Sequence, residues 1–586
     1  MKSFFKYLLA SFLAFFLALI ILFLIGLGSM SALISNKTDE TKVKPNTILT
    51  LDLSVPITDR TIDDPFSFVN YTTYSMTGSL GIYDIFQNLK KAAVDPNIKG
   101  LLIKTSMITP GIASLEEIRQ AIVKFKKSGK FVIAYGDFLT QSGYYLASVA
   151  DKIYINPEGI IEFRGLRSDV MFYTDALEKL GIEVQVLRHG KFKSAVEPFM
   201  DTKMSDASKR QTKAYLDAIW GRMIEDIGDS RNISTPELNN LADKFAIRTP
   251  QSALKHQFVD GLFYTDQLND ELKKLTGIAS SSKIRSVSMN QYIHAPETEK
   301  KEYTSDRIAI IYGTGSIGMQ ETGATSIGGH HLAKAFRSAR NDNRIKAIVF
   351  RINSPGGNVL ASDIIRREVE LAAAKKPLIV SMGDLAASGG YWVSTPAKTI
   401  LASPTTLTGS IGVFGLWPNL EGLVSDKLGL HFDGVQTNDM AGMGNMFRPL
   451  EPQERAIIQG QVENSYQKFI HLVAKDRNMK VEEVDQIGQG RVWSGKDAID
   501  IGLIDGFGGL EEAIRLAAEA ANLEEYKIRE MPQLKDPLNE ILEQVLGRSV
   551  SARRMLEAEL PVIRDIRECL EGGSTQARLP FTYIIK

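Results

Sequence analysis

The chain has 586 residues, with 69 Lys plus Arg against 69 Asp plus Glu, and a single cysteine, Cys569. That length exceeds what one hydrophobic core usually organises, so two domains or a duplicated one are expected. Balanced charge offers no basic field for nucleic acid, and one thiol excludes an intrachain disulfide and Cys-rich zinc sites.

After Lys2 and Lys6 no charged residue occurs until Lys37, and Tyr7–Leu27 is almost wholly apolar. As a helix, a segment of that length would span roughly 31 Å, against a hydrocarbon core of about 30 Å. It exceeds the apolar core of a cleavable signal peptide, about 7–15 residues, and so reads as a retained transmembrane anchor. Gly28-Ser29-Met30-Ser31-Ala32 is nonetheless a possible cleavage stretch. The lysines ahead of the span favour a cytoplasmic N-terminus, with everything after it outside the cytoplasm.

The remainder is organised by an internal repeat. Ile98-Lys99-Gly100-Leu101-Leu102-Ile103-Lys104 resembles Ile345-Lys346-Ala347-Ile348-Val349-Phe350-Arg351, an offset of 345 − 98 = 247. Gly136-Asp137 with Gly383-Asp384, Gly143-Tyr144 with Gly390-Tyr391, and Pro157 with Pro404 keep that offset. Upstream, Ile48–Leu51 matches Ile308–Ile311 at 260, which implies an insertion of 260 − 247 = 13 residues in the first copy between Leu51 and Ile98. Within the second copy Ala347–Ile352 reads as a buried strand, Leu360–Ala374 as a helix and Pro377–Met382 as a strand, the rhythm of βαβ units around a parallel sheet. Pro452–Asn478, with Ile457, Ile458, Val462, Tyr466, Phe469 and Val473, reads as a packing helix that resembles the stretch around Ser205–Gly228. Beyond Ala521 the pattern is charged and helical with Pro breaks.

Two glycine turns follow strands of the second copy: Asn353-Ser354-Pro355-Gly356-Gly357, and Leu385-Ala386-Ala387-Ser388-Gly389-Gly390-Tyr391-Trp392. A Gly pair after a strand exposes N–H groups suited to an oxyanion, although either motif alone also makes an ordinary tight turn. A serine nucleophile needs a base. None of the seven histidines, His189, His256, His294, His330, His331, His431 and His471, lies in the nucleophile turn. A lysine serves instead if burial or neighbouring cations lower its pKa. Arg188-His189-Gly190-Lys191-Phe192-Lys193 offers such cations in Arg188 and Lys191, or else a solvated basic face.

A Gly-Gly turn followed by Ala-Ser-Gly-Gly in an α/β context resembles the ClpP/crotonase superfamily. More narrowly, Lys193-Ser194-Ala195-Val196-Glu197-Pro198-Phe199, Asn353–Gly357 and Ala386–Trp392 resemble signal peptide peptidase A (the protease IV family) in its long, duplicated form. The resemblance covers essentially the whole chain. It implies two tandem ClpP/crotonase-like α/β domains behind one transmembrane helix, and a serine endopeptidase with Ser388 as nucleophile and Lys193 as general base. The Gly389 N–H, with that of Gly357 or Gly356, would form the oxyanion hole. Ser410 is a candidate to orient the lysine, with Thr408 and Ser394 as weaker ones. No metal or organic cofactor is implied. The implied substrates are cleaved signal peptides and other short hydrophobic peptides, the implied assembly a dome-like homotetramer, and the implied location a bacterial inner membrane with the catalytic domains on the periplasmic side.

The repeat supplies an internal control. Ser388 maps to 388 − 247 = 141, Gln141, and Pro355-Gly356-Gly357 to Ile108-Thr109-Pro110, while the counterpart of Lys193 falls around Asp439-Met440-Ala441-Gly442. Each copy lacks what the other supplies, which predicts one site shared between them. The expected division is residues 1–36 for the N-terminus and anchor, 46–300 for the first α/β domain, 305–525 for the second, and 526–586 for a C-terminal helical tail. Two rival functions stay open: a catalytically inactive membrane scaffold and a crotonase-like acyl-transfer enzyme.

Overall fold

The computed structural model describes residues 41–62, 69–70, 75–76, 78–106, 110–297, 304–320, 326–534 and 576–578, together with 6–7, 11–18 and 21. Among the described residues no helix is long and apolar enough to cross a membrane. The expected span Tyr7–Leu27 and the Ile108-Thr109 turn lie largely outside them, as does most of the segment after residue 534.

Two sheets, the first parallel and the second parallel except for one antiparallel edge pair, carry the duplication. The first runs in the order Gly261–Leu262, Lys152–Ile161, Phe131–Leu139, Ile98–Lys104, Thr47–Asp52, Arg285–Ser288. In the second, Leu378–Ala387, Ile345–Ser354, Arg307–Thr314 and Lys527–Met531 repeat the last four positions in parallel register. Strands expected from apolar runs are present: Ala347–Ile352 lies within Ile345–Ser354, and Pro377–Met382 begins Leu378–Ala387. A helix at Val359–Ala373 connects them.

The segment from 526, expected to be helical, opens instead with the strand Lys527–Met531 on the edge of the second sheet. Its counterpart is Arg285–Ser288, which holds the same edge of the first sheet. The duplication therefore carries the second domain through Met531, past the expected boundary at 525.

The long helices Asp206–Arg231 and Pro452–Arg477 are equivalent, each closed by an asparagine with φ of 54°, Asn232 and Asn478. Ile458, Val462, Tyr466, Phe469 and Val473 form the buried stripe of the latter, whereas Ile457 is half exposed, about 100° round the helix from Ile458.

The second sheet explains why the copies pack as one. Its strands alternate side chains between faces. Ala309, Ile311, Ile348, Phe350 and Ile352 face a core of the second domain's own helices. Ile308, Ile310, Ala347 and Val349 face the other way, into the core that also holds Leu49, Leu101, Leu115 and Ile118 of the first domain. The domains thus share one hydrophobic core.

Ion pairs seal this contact. Arg351, fully buried, donates from Nε to Asp59 Oδ1 at 2.7 Å and from Nη1 to Glu117 Oε1 at 2.7 Å, joining the second copy to two carboxylates of the first. Ser114, at the start of the helix Ile112–Lys126, donates through N and Oγ to Asp384 at 2.9 and 2.7 Å.

A third sheet crosses between the copies. It runs Ser326–Gly328, Ser316–Gly318, Gly356–Asn358, Gln576–Arg578, Phe414–Asn419, Glu183–Arg188. In it the first copy's Glu183–Arg188 pairs antiparallel with the second copy's Phe414–Asn419 over six residues. Residues 183–199 thereby leave the first domain's sheet and dock on the second domain.

Candidate active site

The strand Leu378–Ala387 ends at Ser388, and the helix Gly389–Ser394 begins directly after it. Ser388 has φ 55° and ψ −113°, a conformation that L residues avoid and that surrounding contacts must enforce. Its N–H donates to Gly409 O at 2.7 Å. A strand–serine–helix turn of this strained kind lifts the hydroxyl clear of the backbone. Gly389 occupies the first helical position, where an N–H has no intrahelical acceptor.

Lys193 reaches this hydroxyl from the other copy. After the strand Glu183–Arg188, the chain is fastened to the second domain by His189 N–H on Val413 O (3.2 Å) and Phe192 N–H on Gln489 O (2.9 Å). Lys193 then precedes the 3-10 turn Ser194–Phe199. Its Nζ donates to Ser388 Oγ at 2.8 Å, to Ser410 Oγ at 3.1 Å and to Ser410 O at 3.2 Å. Lys193, Ser388 and Ser410 are all completely buried.

Burial alone holds the Lys193 amine well below the ordinary lysine range. This corrects the expectation that Arg188 and Lys191 lower it by charge: Lys191 is exposed, its Nζ 5.4 Å from the Phe192 ring centroid. The lowered pKa favours the neutral amine, and a neutral amine in contact with a hydroxyl can accept the hydroxyl proton.

The remaining predicted residues divide clearly. Ser410, with φ of 50°, contacts the lysine. Thr408 Oγ1 instead donates to Ala386 O at 2.8 Å, and Ser394 Oγ to Gly390 O at 2.7 Å, so both satisfy local backbone. The Gly356 N–H is taken by Ser354 Oγ at 3.1 Å. This leaves the Gly357 N–H as the better partner for that of Gly389. At Gly357 a Cβ would meet Ile317 O at 2.0 Å, so no side chain fits there.

Gln211 and Gly490 carried no motif signal, and Glu197 was part of a motif without an assigned role. Gln211 bridges the copies, donating to Phe192 O (3.1 Å) and Ser194 Oγ (2.8 Å) and accepting from Val492 N–H (3.1 Å). Glu197, buried, accepts from the N–H and Oγ of Ser205 at 3.1 and 2.6 Å and holds the turn after Lys193. Gly490 lies against the Lys193 backbone. A polar residue within a helix and a glycine in a loop read as ordinary until the second copy is in place.

The first copy's position 141 is informative. Ser388 Oγ donates to Gly412 O at 3.3 Å, whereas Gln141 Nε2 donates to Gly165 O at 3.0 Å, and 412 − 165 = 247. Gln141 Oε1 also accepts from the N–H groups of Arg164 and Gly165. The glutamine ties down the loop that the serine faces in the other copy.

Tandem α/β domains here bring a strained serine against a buried amine, an arrangement suited to nucleophilic acyl transfer. Comparison with known proteins gives the particular family. Peptidase family S49 matches the chain twice, over residues 124–279 and 370–524. Protease 4 of Salmonella typhi is 36% identical over 485 residues, 81% of this chain and 77% of its own length. Serine protease SPPA, chloroplastic, of Arabidopsis thaliana is 31% identical over 549 residues, 91% of this chain and 78% of its own. A putative signal peptide peptidase SppA of Enterococcus faecium is 33% identical over 181 residues, 30% of this chain and 52% of its own. The chain belongs to peptidase family S49, with the domain present twice, and it is a serine protease.

Proposed function

We propose that the chain is a membrane-anchored endopeptidase with a Ser388/Lys193 dyad that hydrolyses short hydrophobic peptides, cleaved signal peptides among them. The observation that carries this reading is the 2.8 Å contact between a fully buried Lys193 Nζ and Ser388 Oγ. Neutral Lys193 takes the hydroxyl proton as Ser388 Oγ attacks a peptide carbonyl. The N–H groups of Gly389 and Gly357 stabilise the oxyanion, one such donor being worth about 3 kcal/mol. The protonated amine passes its proton to the leaving nitrogen, and a water activated by the same amine hydrolyses the ester. Ser410 orients the amine.

The signal-peptide assignment is supported by the sequence resemblance and by the name of the Enterococcus faecium relative. Tyr7–Leu27, behind Lys2 and Lys6, supports the anchor, with a cytoplasmic N-terminus and the domains on the periplasmic side of a bacterial inner membrane.

The homotetramer draws support from the repeat. A helix, then Gly181 (φ 74°), leads into Glu183–Arg188; in the second copy Gly429 (φ 68°) leads into residues 431–436, which lie in no sheet and expose Phe432 and Val435. The first-copy counterpart of Phe414–Asn419, residues 167–172, is likewise outside any sheet. Each chain thus offers both halves of a pairing it makes once internally, and head-to-tail repetition of such a contact forms a ring when the rotation between neighbours closes.

The test is labelling of the detergent-solubilised protein with a serine-directed fluorophosphonate. Wild type should label and cleave hydrophobic peptides. A wild type that does neither across a range of pH would refute the reading.

A further inference from the structure

We propose that Tyr466 is a positioning residue for the general base, holding the lysine-bearing segment 189–193 against the second domain. The inference rests on the Ser388/Lys193 reading above.

Tyr466 lies on the helix Pro452–Arg477 and is completely buried. It grips the segment at both ends. Its ring stacks on His189, with centroids 3.8 Å apart and planes inclined by 22°, and Glu463 of the same helix meets His189 Nδ1 at 2.5 Å. Its hydroxyl donates to Asp485 Oδ1 at 2.5 Å and accepts from the Gln489 N–H at 3.2 Å. Gln489 Nε2 donates to the same Asp485 oxygen at 2.6 Å.

Gln489 is where this support reaches the base. It has φ of 54°, a conformation that L residues seldom adopt, and its carbonyl accepts the Phe192 N–H at 2.9 Å, one residue before Lys193. Gly490 lies against the Lys193 backbone and donates its own N–H to Ile411 O at 2.7 Å, while Arg491 O accepts the Ser410 N–H at 2.7 Å. One strained loop therefore fixes both Lys193 and Ser410, and the Tyr466 hydroxyl with Asp485 holds that loop. Burial, with the Asp485 carboxylate beside it, pushes the pKa of the hydroxyl up, so it stays protonated and donating.

The first copy has the same scaffold without this task. Equivalent asparagines end the two long helices, 478 − 232 = 246, so Tyr466 corresponds to Trp220 (466 − 246) and Asp485 to Asn239 (485 − 246). Trp220 Nε1 donates to Asn239 Oδ1 at 2.8 Å. An indole N–H donates and cannot accept, so only the tyrosine can also take the Gln489 N–H. The residue able to make that second contact stands in the copy on which the lysine docks.

Steady-state kinetics across pH with one hydrophobic peptide and the purified full chain test this. Tyr466→Phe keeps the ring on His189 and removes both hydroxyl contacts, so kcat should fall about tenfold with KM unchanged. A loosened segment admits water to the Lys193 amine, and the pH at which activity levels off should move upward, towards that of an ordinary lysine. Asp485→Ala, which removes the acceptor of both Tyr466 and Gln489, should do the same and carries the test if Tyr466→Phe does not fold. Trp220→Phe, which breaks the equivalent bond of the first copy, should change neither kcat nor the pH profile. Wild-type kinetics or an unshifted profile in the Tyr466 and Asp485 variants, a loss confined to KM, or an equal loss in Trp220→Phe would overturn the inference. Inactivity of Lys193→Met in the same series would then spare the dyad. A wild type that cleaves nothing would remove the dyad reading and this inference with it.

Discussion

Gly490 faces Lys193 so closely that a β-carbon added to it would lie 2.7 Å from the Lys193 Cα, and the glycine itself has φ of 80°. Gly490→Ala must push the lysine backbone away from the second domain. A displacement of about 1 Å can cost about a hundredfold in rate. We expect kcat to fall by roughly that factor with the circular dichroism spectrum unchanged; a fall of less than about threefold would show that the contact is not positional.

Exchange of the dyad itself should be more severe. Ser388→Ala and Lys193→Met should each lose at least about a thousandfold in kcat/KM, a general base alone contributing about 10²–10⁴. Lys193→Arg should be equally inactive, since a guanidinium does not deprotonate in this pH range. Lys191→Ala, at an exposed position, should retain activity. Full activity in Lys193→Met with loss in Lys191→Ala would identify the wrong lysine as base.

Ser410→Ala removes one of the contacts made by the Lys193 amine and leaves the Ser410 carbonyl at 3.2 Å. One hydrogen bond of about 1.4 kcal/mol corresponds to roughly tenfold. The loss should fall on kcat with KM unchanged, and steady-state kinetics on one peptide would separate the two.

The pH dependence follows from the direction of the lysine shift. Folded-state Lys193 is held below its ordinary value, so activity should rise as pH passes upward through that lowered pKa and then level off. For stability the sign is the unusual one. Between the folded pKa and about 10.5 the unfolded chain binds the proton and the folded chain does not, so this residue disfavours folding there, increasingly as pH falls. Lys193→Met should therefore raise the apparent Tm at neutral pH, and the gain should shrink towards alkaline pH. A lower Tm in that variant would refute the account.

Arg351→Met strands Asp59 and Glu117 in the core shared by the copies. Removal of one partner of a buried ion pair costs about 3–5 kcal/mol. Thermal scanning should show a lowered apparent Tm at neutral pH, with the deficit shrinking as the pH is lowered and Glu117, whose carboxyl burial already pushes up, takes up a proton. Activity should fall with the fold, because Lys193 and Ser388 come from different copies and meet only when the copies are packed together.

The duplication, the strands, the serine turn and the lysine motif were legible along the chain because they rest on local patterns: apolar runs, glycine pairs and short motifs repeated at a fixed offset. Gln141 and Asp439–Gly442 even announced that each copy lacks half of a site. How the halves meet is a matter of tertiary structure. The pairing of Glu183–Arg188 with Phe414–Asn419 decides it, together with the shared core and the Arg351 carboxylate cluster, contacts between residues far apart in sequence. The same holds for the lysine's chemistry. Flanking cations suggested a charge effect, but its pKa is lowered by burial, and burial is a property of everything packed around a residue rather than of its neighbours in the chain.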